Sequence, residues 1–262
     1  MPIPWRVVEG YENSSYGDAF ADVYDDWYAD ISDVEATVSS LAQLQETTSG
    51  EPVLELGVGT GRLAIPLAAR VHPTAVFGLD SSQAMLDRLA ANQQRTDAQH
   101  LHPVHPVLGD MVDGLPDGAF GLVFVAFNTF FNIGTADRQQ ACLDAVHSRL
   151  APNGRLVVEA YVPDDVIRTG SHVEVRTITA DRVVLSVARY DGASQQAEGQ
   201  FVEFTQAGGV RLRPWSIRHV APDELDAMAA RAGLRLVDRW ETFAREPFDG
   251  DSARHVSIYA AM

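Results

Sequence analysis

Glu55-Leu56-Gly57-Val58-Gly59-Thr60-Gly61 joins the short apolar run Pro52-Val53-Leu54-Glu55-Leu56 to a helical pattern from Arg62 to Arg70. Strand, glycine-rich turn and helix in that order decide the fold class. Glycines in such a turn reach positive φ and let a ligand approach bare backbone. The helix that follows points its free amides into the same space. The spacing is acid-x-G-x-G-x-G. A dinucleotide turn of the G-x-G-x-x-G kind needs a further glycine where this chain has Arg62.

Downstream, strands and helices alternate. Ala75–Leu79 reads as a second strand closed by Asp80, with a helix from Ser82 to about Asn92. Val104–Leu108 is a third strand, ending at Gly109-Asp110-Met111. Gly121–Ala126 is continuously apolar, as a strand buried on both sheet faces requires. A helix over Ala136–Leu150 leads through Pro152-Asn153-Gly154 into a fifth strand, Arg155–Tyr161. This alternation with short loops predicts an α/β chain, a parallel sheet with helices on both faces. Pro222 then opens a helix that runs to Arg231 and stops at Gly233, and strands Leu234–Glu241 and His255–Ala260 close the chain.

Two stretches break the alternation. Residues 171–218 carry no helical period. His172–Ile178, Arg182–Tyr190, Gln200–Thr205 and Val210–Ile217 read as strands of an inserted antiparallel β-meander. Arginine slightly outnumbers acid there, on a chain that is otherwise acidic. Residues 11–50 read as an N-terminal helical cap. From Asp18 to Glu35 there are seven acids and no base, and Asp18, Asp22 and Asp26 would share a helix face. The aromatics Tyr16, Phe20, Tyr24, Trp27 and Tyr28 mark a packed face opposite a solvated acidic one. The 262 residues are expected to form a single domain.

Net charge is −16, with 36 acids against 20 bases, and every base is arginine. That charge repels a phosphate backbone, so nucleic acid and anionic membrane surfaces are disfavoured as partners. No apolar run is long enough to span a membrane, and the start Met1-Pro2-Ile3-Pro4 is unlike a secretory signal. The single cysteine, Cys142, points to a reducing cytoplasm. His100, His102 and His105 lack an accompanying carboxylate or thiolate of ligand spacing and read as a loop into the third strand, so no metal site is expected.

Glu55 before three alternating glycines, Asp80 ending strand two and Gly109-Asp110-Met111 ending strand three together resemble class I S-adenosylmethionine-dependent methyltransferases. The resemblance implies S-adenosylmethionine as cofactor. It also implies a Rossmann-like, seven-stranded, mostly parallel sheet whose last strand runs antiparallel. A closer likeness is to the small-molecule branch of glycine and amino-sugar N-methyltransferases. It rests on Tyr16, Tyr24-Asp25, Asn128-Thr129-Phe130, the meander, and the lead from Ile217-Arg218-His219 to Ala232-Gly233-Leu234. By that likeness Tyr16 lies near the transferred methyl and Tyr24 closes the cofactor pocket. Asn132 stands where the amino-sugar enzymes carry a histidine.

The residue types suit the cofactor. Asp80 can accept from two ribose hydroxyls, and Asp110 from the adenine amine. Glu55 can order the turn or face the ammonium, and Arg62 can reach the carboxylate. Gly57, Gly59, Thr60 and Gly61 supply the turn. Ser81, Met85, Met111 and Phe127 complete the expected cofactor wall. Tyr16, Asn128 and His219 are the expected catalytic residues, with Glu159, Tyr161 and Trp215 beside them. Transfer to a nitrogen or an oxygen of a small molecule is expected, by a protein that can pair as a homodimer through the meander. The alternatives are a nicotinamide-dependent oxidoreductase and a non-catalytic cofactor-binding protein. Phe127-Asn128-Thr129-Phe130, in place of Asn or Asp before two prolines, speaks against methylation of flipped DNA bases.

Overall fold

The computed structural model describes residues 8–29, 32–95, 103–163 and 169–262. Its centre is a seven-stranded sheet. The strands are β1 (Val53–Leu56), β2 (Val76–Asp80), β3 (Val104–Leu108), β4 (Phe120–Val125), β5 (Leu150–Tyr161), β10 (Leu234–Trp240) and β11 (Arg254–Ala261). Their spatial order is β10-β11-β5-β4-β1-β2-β3. β11 runs antiparallel to both its neighbours, and the remaining pairs are parallel.

Every residue of β1 and β4 is buried. Strand side chains alternate between faces, so one strand feeds two cores. Val123 and Val125 join a core under α6 (Ala136–Arg149) and α7 (Pro222–Arg231). Leu122 and Phe124 join the opposite one, under α3 (Val34–Glu46), α4 (Ala64–Val71) and α5 (Gln83–Arg95). Burial on both faces explains why the strands read as unbroken apolar runs.

The second sheet is β6 (Thr169–Ile178), β7 (Arg182–Asp191), β8 (Gln196–Thr205) and β9 (Val210–Arg218), antiparallel in that order. β8 begins four residues earlier than the apolar pattern suggests, because Gln196–Gly199 carry the ladder without an apolar signature.

The N-terminal stretch departs from the sequence reading. α1 (Ser15–Phe20) and α2 (Tyr24–Trp27) are short and separate, so Asp18, Asp22 and Asp26 do not form one face. The acidic side is solvent-exposed, as the sequence suggests, yet its carboxylates also have partners. Asp18 accepts from Ser82 Oγ at 2.6 Å, Asp25 from Thr60 Oγ1 at 2.6 Å, and Asp22 from Arg213 Nη1 at 2.6 Å. The segment is wedged between the ends of the large sheet and the arginine-rich second sheet, and its acids meet partners on both sides.

Candidate active site

The carboxyl ends of β1–β4 open into a cleft of about 240 Å³, roofed by α1, α2 and the start of the described chain. Open parallel sheets bind ligands at these ends. The glycines of the turn divide the work. Gly57, Gly59 and Gly61 all have positive φ, at +71°, +55° and +84°. A Cβ on Gly57 would lie 2.4 Å from Thr129 Cγ2, whereas one on Gly59 would meet only Tyr24 Cε1, at 4.0 Å. Both glycines line the cleft. Gly61 faces away, and its Cβ would lie 2.2 Å from Leu89 Cδ1, so it is the glycine that lets α4 and α5 approach. Thr60 is buried with its hydroxyl on Asp25. The Thr60 hydroxyl thus tethers Asp25 and Gly61 packs against α5, and neither lines the cleft.

Asp80 lines the cleft with both oxygens engaged. Oδ2 accepts from the Gly59 amide and Oδ1 from the Ser82 amide, at 2.8 and 2.9 Å. Burial raises its carboxyl pKa, and these amides pull it back. It thus caps the turn into α5 as well as facing the cleft. Each oxygen keeps a lone pair, so two vicinal hydroxyls still fit. Asp110 accepts from the Val112 amide and Arg138 Nη2 on Oδ1, and from Asn13 Nδ2 on Oδ2. Ser81, Met85 and Met111 also line the cleft.

Glu55, Arg62 and Phe127 do not. Glu55 is 5% exposed, and its Oε2 has no partner among the described residues. Burial pushes its pKa well above the usual carboxylate range, against the pull of Arg62. Arg62 stacks on Phe127, 3.9 Å from the ring centroid, and donates to Ser32 Oγ at 2.9 Å. This trio braces the turn from behind. Tyr24 closes the front, with burial lifting its phenol to about 12.

Of the expected catalytic residues, only Tyr16 reaches the cleft. It stacks on Phe20 and its hydroxyl lies 3.2 Å from that of Tyr28. Burial, then the neighbouring phenols, push its pKa well above 10. Asn128 uses its carboxamide oxygen on the backbone. Phe127 and Asn128 both adopt left-handed φ, 58° and 60°. That strained turn is held by Glu159 Oε2 on the Phe127 amide at 3.1 Å and Asn128 Oδ1 on the Tyr161 amide at 2.7 Å. His219 bonds Tyr161 through Nδ1 and packs edge-on to Phe131. Burial, then the charge of Arg218, lowers its pKa. Trp215 lies against Gly199 and Phe201. Asn128, His219 and Trp215 thus have framework partners and are not among the residues lining this cleft.

Sequence reasoning missed Tyr11, Asn13, Thr135, Arg138 and Ser216, which line the cleft with Thr129 and Asn132. Tyr11 meets the Ser216 backbone amide, and its buried phenol rises to about 12. Thr129 and Asn132 sit in the 3-10 turn Thr129–Asn132, inside a motif the sequence already marked. His100 and His102 lie outside the described residues. His105 is exposed in β3, with its ring centroid 5.1 Å from that of Phe77.

The cleft's fit to S-adenosylmethionine rests on bare backbone at Gly57 and Gly59, a carboxylate with open lone pairs ending each of β2 and β3, and aromatic walls. A methyltransferase-domain family model matches residues 53–154, the span from β1 to the start of β5. The CcbJ methyltransferase from Streptomyces caelestis is 36% identical, covers 96% of this chain and 99% of its own, and superposes with a TM-score of 0.84. The chain belongs to the S-adenosylmethionine-dependent methyltransferases. Demethylmenaquinone methyltransferase from Thermus thermophilus is 32% identical over 185 residues, 70% of this chain and 74% of its own. Cypemycin N-terminal methyltransferase from a Streptomyces species is 29% identical over 209 residues, 78% of this chain and 80% of its own. Sugar methyltransferases share the fold, and structures of that fold hold the cofactor or S-adenosylhomocysteine. The chain is thus an enzyme that transfers methyl from S-adenosylmethionine to a small molecule, and the nicotinamide reading is set aside. Among the described residues no helix is long and apolar enough to cross a membrane.

Proposed function

We propose that the acceptor is a small-molecule amine. The observation that carries this is the lining of the cleft: among the described residues, Tyr11, Tyr16 and Tyr24 stand there and no histidine does. A phenol is protonated near pH 7 at its ordinary value, and burial moves Tyr11, Tyr16 and Tyr24 further in that direction. Neutral phenols align a nucleophile and offer ring faces to a cation, but they do not take its proton. A neutral amine needs only alignment and a dry site. S-adenosylmethionine supplies an electrophilic methyl on a sulfonium. The amine lone pair forms the new C–N bond, the C–S bond breaks, and its electron pair stays on sulfur. Water then takes the ammonium proton. Support comes also from the cypemycin relative, whose name specifies an N-terminus, and from the net charge of −16, which draws cations.

In this reading Asp80 holds the ribose, Asp110 the adenine amine, and Tyr16 lies beside the methyl. The chain acts as one unit in the cytoplasm, without nucleic acid. A labelled-methyl assay over primary and secondary amines, phenols and carboxylic acids tests it. Transfer to phenols alone, with a rate that climbs through the phenol pKa, overturns the amine assignment.

A second copy of the chain is the proposed partner. The outer face of the second sheet exposes Val173, Ile178, Val210 and Leu212 at 57–69% of their surface, beside Val175 and Phe204. An apolar patch this broad marks an interface. Light scattering should give a dimer that Leu212→Glu dissociates. A wild-type monomer would remove the proposal.

A further inference from the structure

We infer that Arg138 is a positioning residue for the cofactor's base, acting through Asp110. The inference rests on the reading of Asp110 as acceptor for the adenine amine. Arg138 lies in the first turn of α6, where Thr135 Oγ1 caps its amide at 3.2 Å. Its Nη2 donates to Asp110 Oδ1 at 2.7 Å, and its Nη1 reaches Asp113 Oδ2 at 3.4 Å. A rigid helix start thus delivers a planar fork across two carboxylates, a geometry a lysine does not reproduce.

A carboxylate offers about four lone-pair positions, two on each oxygen. On Asp110, Oδ1 is filled by the Val112 amide at 2.8 Å and by Arg138. Oδ2 takes Asn13 Nδ2 at 2.6 Å and keeps one position open. Arg138 and Asn13 both line the cleft. By saturating Oδ1, Arg138 leaves a single acceptor facing the ligand and fixes its direction. An exocyclic amine donates to that position. A base with a carbonyl there opposes lone pair to lone pair. The preference for a 6-amino over a 6-oxo purine therefore depends on Arg138 holding the Asp110 carboxylate in this rotation.

Calorimetric titration with S-adenosylhomocysteine and with S-inosylhomocysteine tests this. Wild type should favour the adenosyl ligand by about tenfold or more. Arg138→Met should narrow the ratio to less than about threefold, with Arg138→Lys between, because a lysine keeps the charge and loses the fork. A general loosening of the fold lowers both affinities and leaves their ratio unchanged, and that result overturns the inference. If Arg138→Met does not fold, the ratio for Arg138→Lys decides. If Asp110→Ala abolishes the preference while both Arg138 variants keep it, only the role of Arg138 fails. If wild type binds both ligands equally, the reading of Asp110 fails first and takes this one with it.

Discussion

The two ends of the cleft are built differently. The cofactor end of the proposed site is built on backbone turns at the tips of β1, β2 and β3, to which Asn13, Tyr24 and Arg138 are added. The proposed acceptor end is assembled from side chains far apart in the chain: Tyr11 and Tyr16 from the N-terminal segment, Asn132 from the 3-10 turn, and Ser216 from β9. The first end presents groups fixed by folding itself. The second depends more heavily on how the N-terminal segment docks between the two sheets, since that segment gives the first only the side chains of Asn13 and Tyr24. Cofactor binding should therefore be robust to changes at the docking contacts, and acceptor chemistry sensitive to them.

The largest effect that would separate the two lies within the glycine turn. Gly61→Ala places a Cβ against Leu89 and Ile65 at a φ of +84°, and should cost about 3 kcal/mol of stability, from left-handed strain together with overpacking. Gly59→Ala, in open space, should cost about 1 kcal/mol of stability from left-handed strain alone. Its larger effect should be on S-adenosylhomocysteine affinity. Chemical denaturation and titration of both variants check the split. If Gly59→Ala is the less stable of the two, Gly61 is not the packing glycine.

Next comes Asp80. Asp80→Ala removes the acceptor for the Gly59 and Ser82 amides and should weaken S-adenosylhomocysteine by about 1.5–3 kcal/mol, the scale of a lost charged hydrogen bond. Unchanged affinity would reduce Asp80 to a cap and shift the cofactor end toward Ser81 and Met85.

At the acceptor end, Tyr16→Phe should lower kcat about tenfold, or about 1.4 kcal/mol, and leave cofactor affinity within about twofold. The wild-type rate should show no limb from a Tyr16 phenolate below about pH 10, because burial holds that phenol above its ordinary value. Equal losses in cofactor affinity and rate would mean that Tyr16 serves the cofactor end after all.

The same contrast governs what the sequence made legible. Strand order, the glycine turn, Asp80 and Asp110 follow from a local pattern, since strand, turn and helix are contiguous and their burial writes an apolar run. Gly61 and Thr60 belong to that pattern too, yet they face away from the cleft. Periodicity places a residue in a turn without saying which way the turn presents it. Asn128 carried a motif, but its carboxamide bonds the Tyr161 amide across β5, a partner 33 residues away. Ser216 had no signal at all. It reaches the cleft only because β9 is the edge of a sheet whose register no local pattern announces. The acids of this segment are solvated as they read, but their partners had no local signal, because Ser82 and Arg213 lie 64 and 191 residues on from Asp18 and Asp22.

The smallest expected effect concerns that last contact. Arg213 is 2% exposed and joins Asp22 to Glu203, whose Oε2 lies 3.2 Å from Nη2, while Arg211 also reaches Asp22. Burial raises the Asp22 carboxyl, but the Arg213 bonds and the charges of both arginines outweigh it and hold the pKa below the ordinary value. A carboxyl lowered in the folded state contributes stability above the unfolded pKa, near 4, and loses it as pH falls through the folded value. Asp22→Asn should therefore cost no more than about 1 kcal/mol at neutral pH and low salt, since the carboxylate is 38% exposed and water screens it. The loss should shrink at high salt, and shrink again as pH falls through the lowered folded value, where the wild-type carboxylate is itself protonated. Arg213 keeps Glu203, so the fold survives and the docking of α1 carries the change. Acceptor KM should rise more than cofactor Kd, because Tyr16 stands on α1 while Asp80 and Gly59 stand on the sheet. If the Kd for S-adenosylhomocysteine rises as much as the KM, the two ends of the cleft are one mechanical unit and the contrast between them breaks.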